Sequence, residues 1–186
     1  MTLTQDWTSM HFGRWMKKLA ALRGLPNARV LELGCYEGRA TVWLLDNVFN
    51  GPGTIYTAVD TFKGGGDHVG LIDFEPVRDR FMGNIAPYVD RVQVLVATTA
   101  EAGCVLRNNY FDFVYVDASH VACDVLADCV LAHRVLKPGG LCICDDYGWP
   151  GRPGDGPKEG IDAFLKAYGL RVCDVEIAYQ CDWNKV

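Results

Sequence analysis

Short apolar runs alternate along the chain with longer stretches whose apolar residues recur every three or four positions, the pattern of strands alternating with amphipathic helices. Across residues 9–23, Phe12, Trp15, Leu19 and Leu22 stand three and four apart, which predicts a helix closed by Gly24 and Pro26. Residues 28–33 predict a strand ending at Gly34, and residues 38–49 a helix. A second strand is predicted over 54–60, a helix carrying Phe74, Val77, Phe81 and Ile85, a strand over 92–96 and a short helix over 99–107. Residues 111–116 predict a strand ending at Asp117, and residues 121–135 a helix. Lys137-Pro138-Gly139-Gly140 then turns into a strand over 141–144 that Asp145 and Asp146 end. The last helix is predicted over 158–168, and residues 171–176 and 177–182 read as a terminal hairpin that adds an antiparallel edge.

Strands separated by helices imply an α/β fold with a mainly parallel sheet. At 186 residues the expectation is one domain over 1–186, with the helical segment 1–27 as a candidate lid. No apolar run reaches the ~18–20 residues of a membrane span, and the first residues lack the apolar stretch of a signal peptide, so a soluble cytoplasmic protein is expected. A formal net charge of −5 argues against nucleic acid as the main ligand, because phosphate backbones call for a basic stripe, and favours a small acceptor. The eight cysteines have neither CxxC nor zinc-site spacing and are read as reduced thiols, several of them small core hydrophobes.

In a doubly wound sheet ligands bind beyond the carboxyl ends of the strands, where Glu32, Asp60, Asp117, Asp145 and Asp146 all fall. The turn Leu33-Gly34-Cys35-Tyr36-Glu37-Gly38 holds two glycines, so its backbone can approach a ligand and the following helix presents its amides. The spacing is not GxGxxG, which weakens a nicotinamide dinucleotide. Glu32-Leu33-Gly34-Cys35-Tyr36-Glu37-Gly38, with Asp60 after the second strand and Leu136-Lys137-Pro138-Gly139-Gly140 before a later one, resembles the class I S-adenosylmethionine-dependent methyltransferases. The resemblance implies a Rossmann-like, doubly wound sheet of seven strands, mainly parallel, with an antiparallel C-terminal strand and helices on both faces. It also implies that Glu32, Gly34, Gly38, Asp60 and Asp117 border the cofactor, Asp60 at the ribose hydroxyls, and that Thr98 or Thr99 lies near the adenine. Without it, Glu32 and Asp60 read as strand-end residues capping loops.

Adjacent parallel strands would bring Asp117, Asp145 and Asp146 to one rim, where clustered carboxylates raise one another's pKa unless a cation lies among them. Oxygen ligands select Mg²⁺, Mn²⁺ or Ca²⁺. Val116-Asp117-Ala118-Ser119-His120, Asp145-Asp146-Tyr147 and Val59-Asp60-Thr61-Phe62-Lys63-Gly64-Gly65 are similar to the short metal-dependent O-methyltransferases that include sugar and macrolide enzymes. That resemblance implies Asp117, Asp145 and Asp146 as metal ligands and His120 as general base. A cation bound to a hydroxyl lowers its pKa, and an imidazole of ordinary pKa ~6.5 suits the proton transfer. The acids also fit a solvated rim, and His120 a helix cap.

Tyr147 and Trp149, beside the Gly/Pro-rich run 149–157, are candidates for a substrate wall, and His68 for the mouth of the site. His11 and His133 read as ordinary structural histidines. A metal-independent small-molecule methyltransferase and a non-catalytic cofactor-binding or interaction domain remain as alternatives. The acceptor is expected to be a small hydroxylated molecule, with a sugar among the candidates, and the short chain makes a second copy of itself a candidate source of a lid.

Overall fold

Side chains of the central strands are buried on both sides, as a sheet covered by helices on two faces requires. The computed structural model describes residues 1–65, 73–151, 153–171, 174–175 and 179–185. Strands β1 (Arg29–Leu33), β2 (Ile55–Asp60), β3 (Val92–Val96), β4 (Phe111–Val116), β5 (Leu136–Cys144), β6 (Asp174–Val175) and β7 (Cys181–Asn184) form one sheet ordered β3-β2-β1-β4-β5-β7-β6. The first five pair in parallel; β7 runs antiparallel to β5, and the two-residue β6 antiparallel to β7 at the edge.

The helices are α1 (Phe12–Lys18), α2 (Arg39–Asn47), α3 (Val77–Ile85), α4 (Thr99–Gly103), α5 (Ala122–Val135) and α6 (Pro157–Tyr168). Alternation along each strand sorts the core into two layers. Val30, Tyr56, Ala58, Phe113, Tyr115 and Ile143 meet Trp15, Leu44 and Phe81 on the face covered by α1, α2 and α3. Leu31, Val59, Val114, Cys142 and Cys144 meet Val125, Cys129, Ile161 and Phe164 of α5 and α6 on the other. The seven described cysteines are free thiols, with the Cys129 and Cys142 sulfurs each 3.8 Å from that of Cys144. Among the described residues no helix is long and apolar enough to cross a membrane.

Three elements differ from the sequence pattern. The helix expected over 9–23 is divided into a 3-10 turn (Ser9–His11), α1 and a second 3-10 turn (Ala20–Leu22). β5 starts at Leu136 and carries Lys137-Pro138-Gly139-Gly140 within it, because Lys185 pairs with both glycines (Gly139 N to Lys185 O 2.8 Å; Lys185 N to Gly140 O 3.0 Å) and the register against β4 shifts there. β7 begins at Cys181, later than the predicted strand. This places Cys181 and Trp183 in the α5/α6 layer and turns Asp182 towards α1, where Arg14 and Lys18 pair with its carboxylate at 2.6 and 2.7 Å.

Candidate functional site

Strand order reverses at β1, which has β2 on one side and β4 on the other, so a crevice opens beyond the carboxyl ends of β1 and β4. Gly34 leaves β1 with φ +84°, and a Cβ there would sit 1.8 Å from the carbonyl oxygen of Asp117 at the end of β4. The close approach that demands glycine is therefore between two backbones. Gly38, at φ +83°, opens α2 against the ring of Phe81.

Two carboxylates build this turn. Asp60 Oδ2 accepts the backbone N–H groups of Cys35 and Tyr36 at 2.7 and 2.9 Å, and Oδ1 that of Phe62 at 2.6 Å. With two lone pairs per oxygen, Oδ1 keeps one acceptor direction for a ligand. Glu32 is 1% exposed and faces inward, its Oε2 accepting from the hydroxyls of Thr41 and Tyr56. Burial is the main cause that pushes its pKa up to about 7. Glu37, which the sequence did not single out, is fully buried and accepts from Thr4 N at 2.6 Å, Thr4 Oγ1 at 2.8 Å and Arg80 Nη1 at 2.8 Å. It fastens the N-terminal segment over the turn, where Trp7 meets Tyr36 at 5.2 Å between ring centroids.

Thr98 caps α4 in a capping box with Glu101, and Thr99 hydrogen-bonds the buried Asp128, whose pKa burial raises to about 7. These two threonines follow β3, with β2 and β1 between them and the acidic rim at β4 and β5.

At that rim Asp117, His120 and Asp146 each present a ligand atom within 4.8 Å of the others. His120 Nε2 lies 2.9 Å from Asp146 Oδ2. Asp146 adopts φ +57°, a left-handed conformation that Asp tolerates better than most residues and that turns its carboxylate towards β4. Desolvation, then the charges of Asp145 and Asp146, hold Asp117 well above the usual carboxylate range. Asp145 stands outside the group. Its Oδ2 accepts from the Tyr115 hydroxyl and, at 3.1 Å, from Gln180 Nε2; its Oδ1 accepts Asp146 N at 2.9 Å and lies 3.7 Å from His11 Nε2.

Tyr115, Gln180 and His11 thus reach the site without having been picked out in the sequence. Tyr115 was legible in part, since it precedes Asp117 by two on a strand and so shares its face; Gln180 and His11 carry no local signal. Trp149 leans on His120 with ring centroids 4.5 Å apart. Tyr147 instead turns to α6, donating to Asp162 at 2.8 Å. His68, expected at the mouth, lies outside the described residues.

Residues 31–147 match the family described as "Methyltransferase domain". No curated protein matches the chain in sequence. Among solved structures, an O-methyltransferase from Bacillus cereus in complex with SAH superposes with TM-score 0.69 at 19% identity, covering 98% of this chain and 84% of that one. TomG from Streptomyces achromogenes, an O-methyltransferase involved in tomaymycin synthesis solved with SAM, gives TM-score 0.71 at 16% identity, covering 99% and 84%. A candidate rRNA methylase from Clostridium thermocellum gives 0.68 at 15% identity, covering all of both chains. At these identities the likeness is one of fold.

Proposed function

We propose, from the premise that this chain belongs to the methyltransferase-domain family and is a class I S-adenosylmethionine-dependent methyltransferase, that it methylates a hydroxyl oxygen of a small acceptor, with a divalent cation at Asp117 and Asp146. The observation that carries the reading is the meeting of Asp117, His120 and Asp146 at a rim whose Asp117 backbone touches the glycine turn at Gly34. An acceptor held at that corner lies beside the cofactor turn.

The residues fit both groups. Gly34 and Gly38 let the turn close tightly against Asp117 and Phe81, and Asp60 keeps an acceptor direction suited to a ribose hydroxyl. Asp117, its proton affinity raised by desolvation and then by neighbouring carboxylates, is a group whose ionised form a cation would stabilise. Such a cation would supply acidity to the acceptor hydroxyl and fix its oxygen. The cofactor supplies a methyl on a sulfonium sulfur, which keeps the S–C electron pair when the methyl leaves. His120 takes the hydroxyl proton as the new C–O bond forms, and Asp146, 2.9 Å away, stabilises the resulting imidazolium. Holding the two reactants in line supplies much of the rate. Trp149, against His120, forms an apolar wall suited to the face of a sugar ring, the acceptor class we favour. The net charge of −5 favours a small acceptor over RNA.

The test is a calorimetric titration with S-adenosylhomocysteine and then Mn²⁺ in chelator-free buffer, followed by methyl transfer to a panel of hydroxylated acceptors with and without chelator. Binding of both, with turnover lost to chelator, is the expected result. Nucleoside binding with chelator-resistant turnover would replace the cation with the Asp146–His120 pair acting alone, a reading their contact favours. Nucleoside binding with no turnover on any acceptor would leave a binding domain of the same fold.

A further inference from the structure

Asp145 follows β5 directly and by the sequence pattern would join Asp117 and Asp146 around a cation. Its carboxylate has four acceptor directions, and the protein engages them from several sides. Asp146 N fills one on Oδ1, with His11 Nε2 facing the same oxygen at 3.7 Å; the Tyr115 hydroxyl and Gln180 Nε2 fill both on Oδ2. The Asp117 carboxylate, by contrast, receives the Tyr115 hydroxyl at 3.2 Å, and Asp146 Oδ2 faces His120.

Gln180 is fully buried and its amide has one orientation that satisfies its neighbours. Oε1 accepts from Trp15 Nε1 at 2.8 Å and from Arg14 Nη1 at 3.3 Å, both groups that only donate, which leaves Nε2 for Asp145. One amide therefore joins α1 to the acidic rim. Tyr115 is fully buried as well, with its ring 5.1 Å from that of Trp15 and its hydroxyl between two carboxylates.

We infer that Asp145 is a positioning residue rather than a cation ligand, and that Gln180, by bonding Trp15 and Asp145 at once, makes the docking of α1 part of the site's geometry. Rotating Asp145 towards a cation would strand the Gln180 Nε2 group without its acceptor in the protein interior and leave the Tyr115 hydroxyl only its longer contact to Asp117. Held where it is, Asp145 fixes the backbone of Asp146 through the Asp146 N–H bond and so aims the neighbouring carboxylate. This inference rests on the cation reading above.

Mn²⁺ affinity and the electron paramagnetic resonance spectrum of bound Mn²⁺, both measured with S-adenosylhomocysteine present, test it in wild type, Asp145→Asn, Asp146→Asn and Trp15→Phe. Asp146→Asn should lower Mn²⁺ affinity by more than about a hundredfold. Asp145→Asn should lower it by about tenfold, as loss of an outer partner does, and leave the spectrum superposable on wild type. Trp15→Phe keeps an aromatic ring while removing the indole N–H and some buried volume; it should weaken Mn²⁺ severalfold with nucleoside affinity unchanged, and the Mn²⁺ effect should add nothing in the Asp145→Asn background. A merely structural Trp15 would leave Mn²⁺ affinity unchanged or act additively with Asp145→Asn, and either result overturns the Gln180 link. An altered spectrum with affinity lost as completely in Asp145→Asn as in Asp146→Asn makes Asp145 a ligand and overturns the inference. Should Asp145→Asn not fold, Trp15→Phe alone tests the Gln180 link, and unchanged Mn²⁺ affinity in that variant overturns it. Wild type that binds nucleoside but no Mn²⁺ removes the cation reading and this inference with it; wild type that binds Mn²⁺ while the Asp145 result fails removes this inference alone.

Discussion

Glu32→Gln isolates the carboxyl beneath the glycine turn. Glu32 is 1% exposed, and its pKa stands at about 7 against an ordinary 4.5, chiefly through burial, with Asp60 adding to the rise and Thr41 and Tyr56 opposing it. A pKa raised in the folded state means that the folded protein holds a proton the unfolded chain has released. The contribution is full below pH 4.5 and falls as pH rises, by about 1.4 kcal/mol per pH unit, until the folded group ionises near pH 7. The whole span is worth about 3 kcal/mol. Glutamine reproduces the neutral form and keeps an oxygen for Thr41 and Tyr56, so the variant should match wild type near pH 4.5 and exceed it by about 3 kcal/mol at pH 8. Urea unfolding of both proteins at steps from pH 4.5 to 8 reads this directly, and their difference cancels groups they share, such as Asp128, which shifts in the same sense. Stability curves that run parallel across the range would refute it. Nucleoside affinity is expected to survive the substitution, because the Glu32 carboxylate faces Thr41 and Tyr56 rather than the crevice.

Gly34→Ala places a methyl 1.8 Å from the Asp117 carbonyl oxygen at φ +84°, and should cost about 3 kcal/mol in unfolding experiments while abolishing S-adenosylhomocysteine binding; a wild-type titration would contradict the contact. His120→Gln should reduce kcat by about 10²- to 10⁴-fold with nucleoside affinity intact, and an unchanged kcat would remove the histidine from the proton transfer. Glu37→Ala should strip hydrogen-exchange protection from the Thr4 amide while α1 stays protected, since Thr4 N donates to that carboxylate; retained protection would mean that other contacts hold the segment.

The order of strands and helices was legible in the sequence because each element has its own periodicity, and the core followed from it: in β1, β2 and β4 residues two apart share a layer and adjacent ones divide between the two, as alternation requires. The glycine turn and the acids at the carboxyl ends of β1, β2, β4 and β5 were legible for the same reason, since strand ends are local features. What Gly34 answers to was not, because the atom it must avoid belongs to Asp117, 83 positions away, a distance that only sheet pairing closes. The two glycines of Lys137-Pro138-Gly139-Gly140 read as a turn by composition, yet Lys185 recruits their backbone into β5. Side-chain direction divided the three acids: Asp117 and Asp146 meet His120, while Asp145, identical in type and adjacent in sequence, is engaged by Tyr115 and Gln180. Sequence determined which residues arrive at the rim, since that depends on spacing along one strand. Tertiary structure decided which carboxylates remain open there, since a buried carboxylate turns to whatever donors distant segments bring to it.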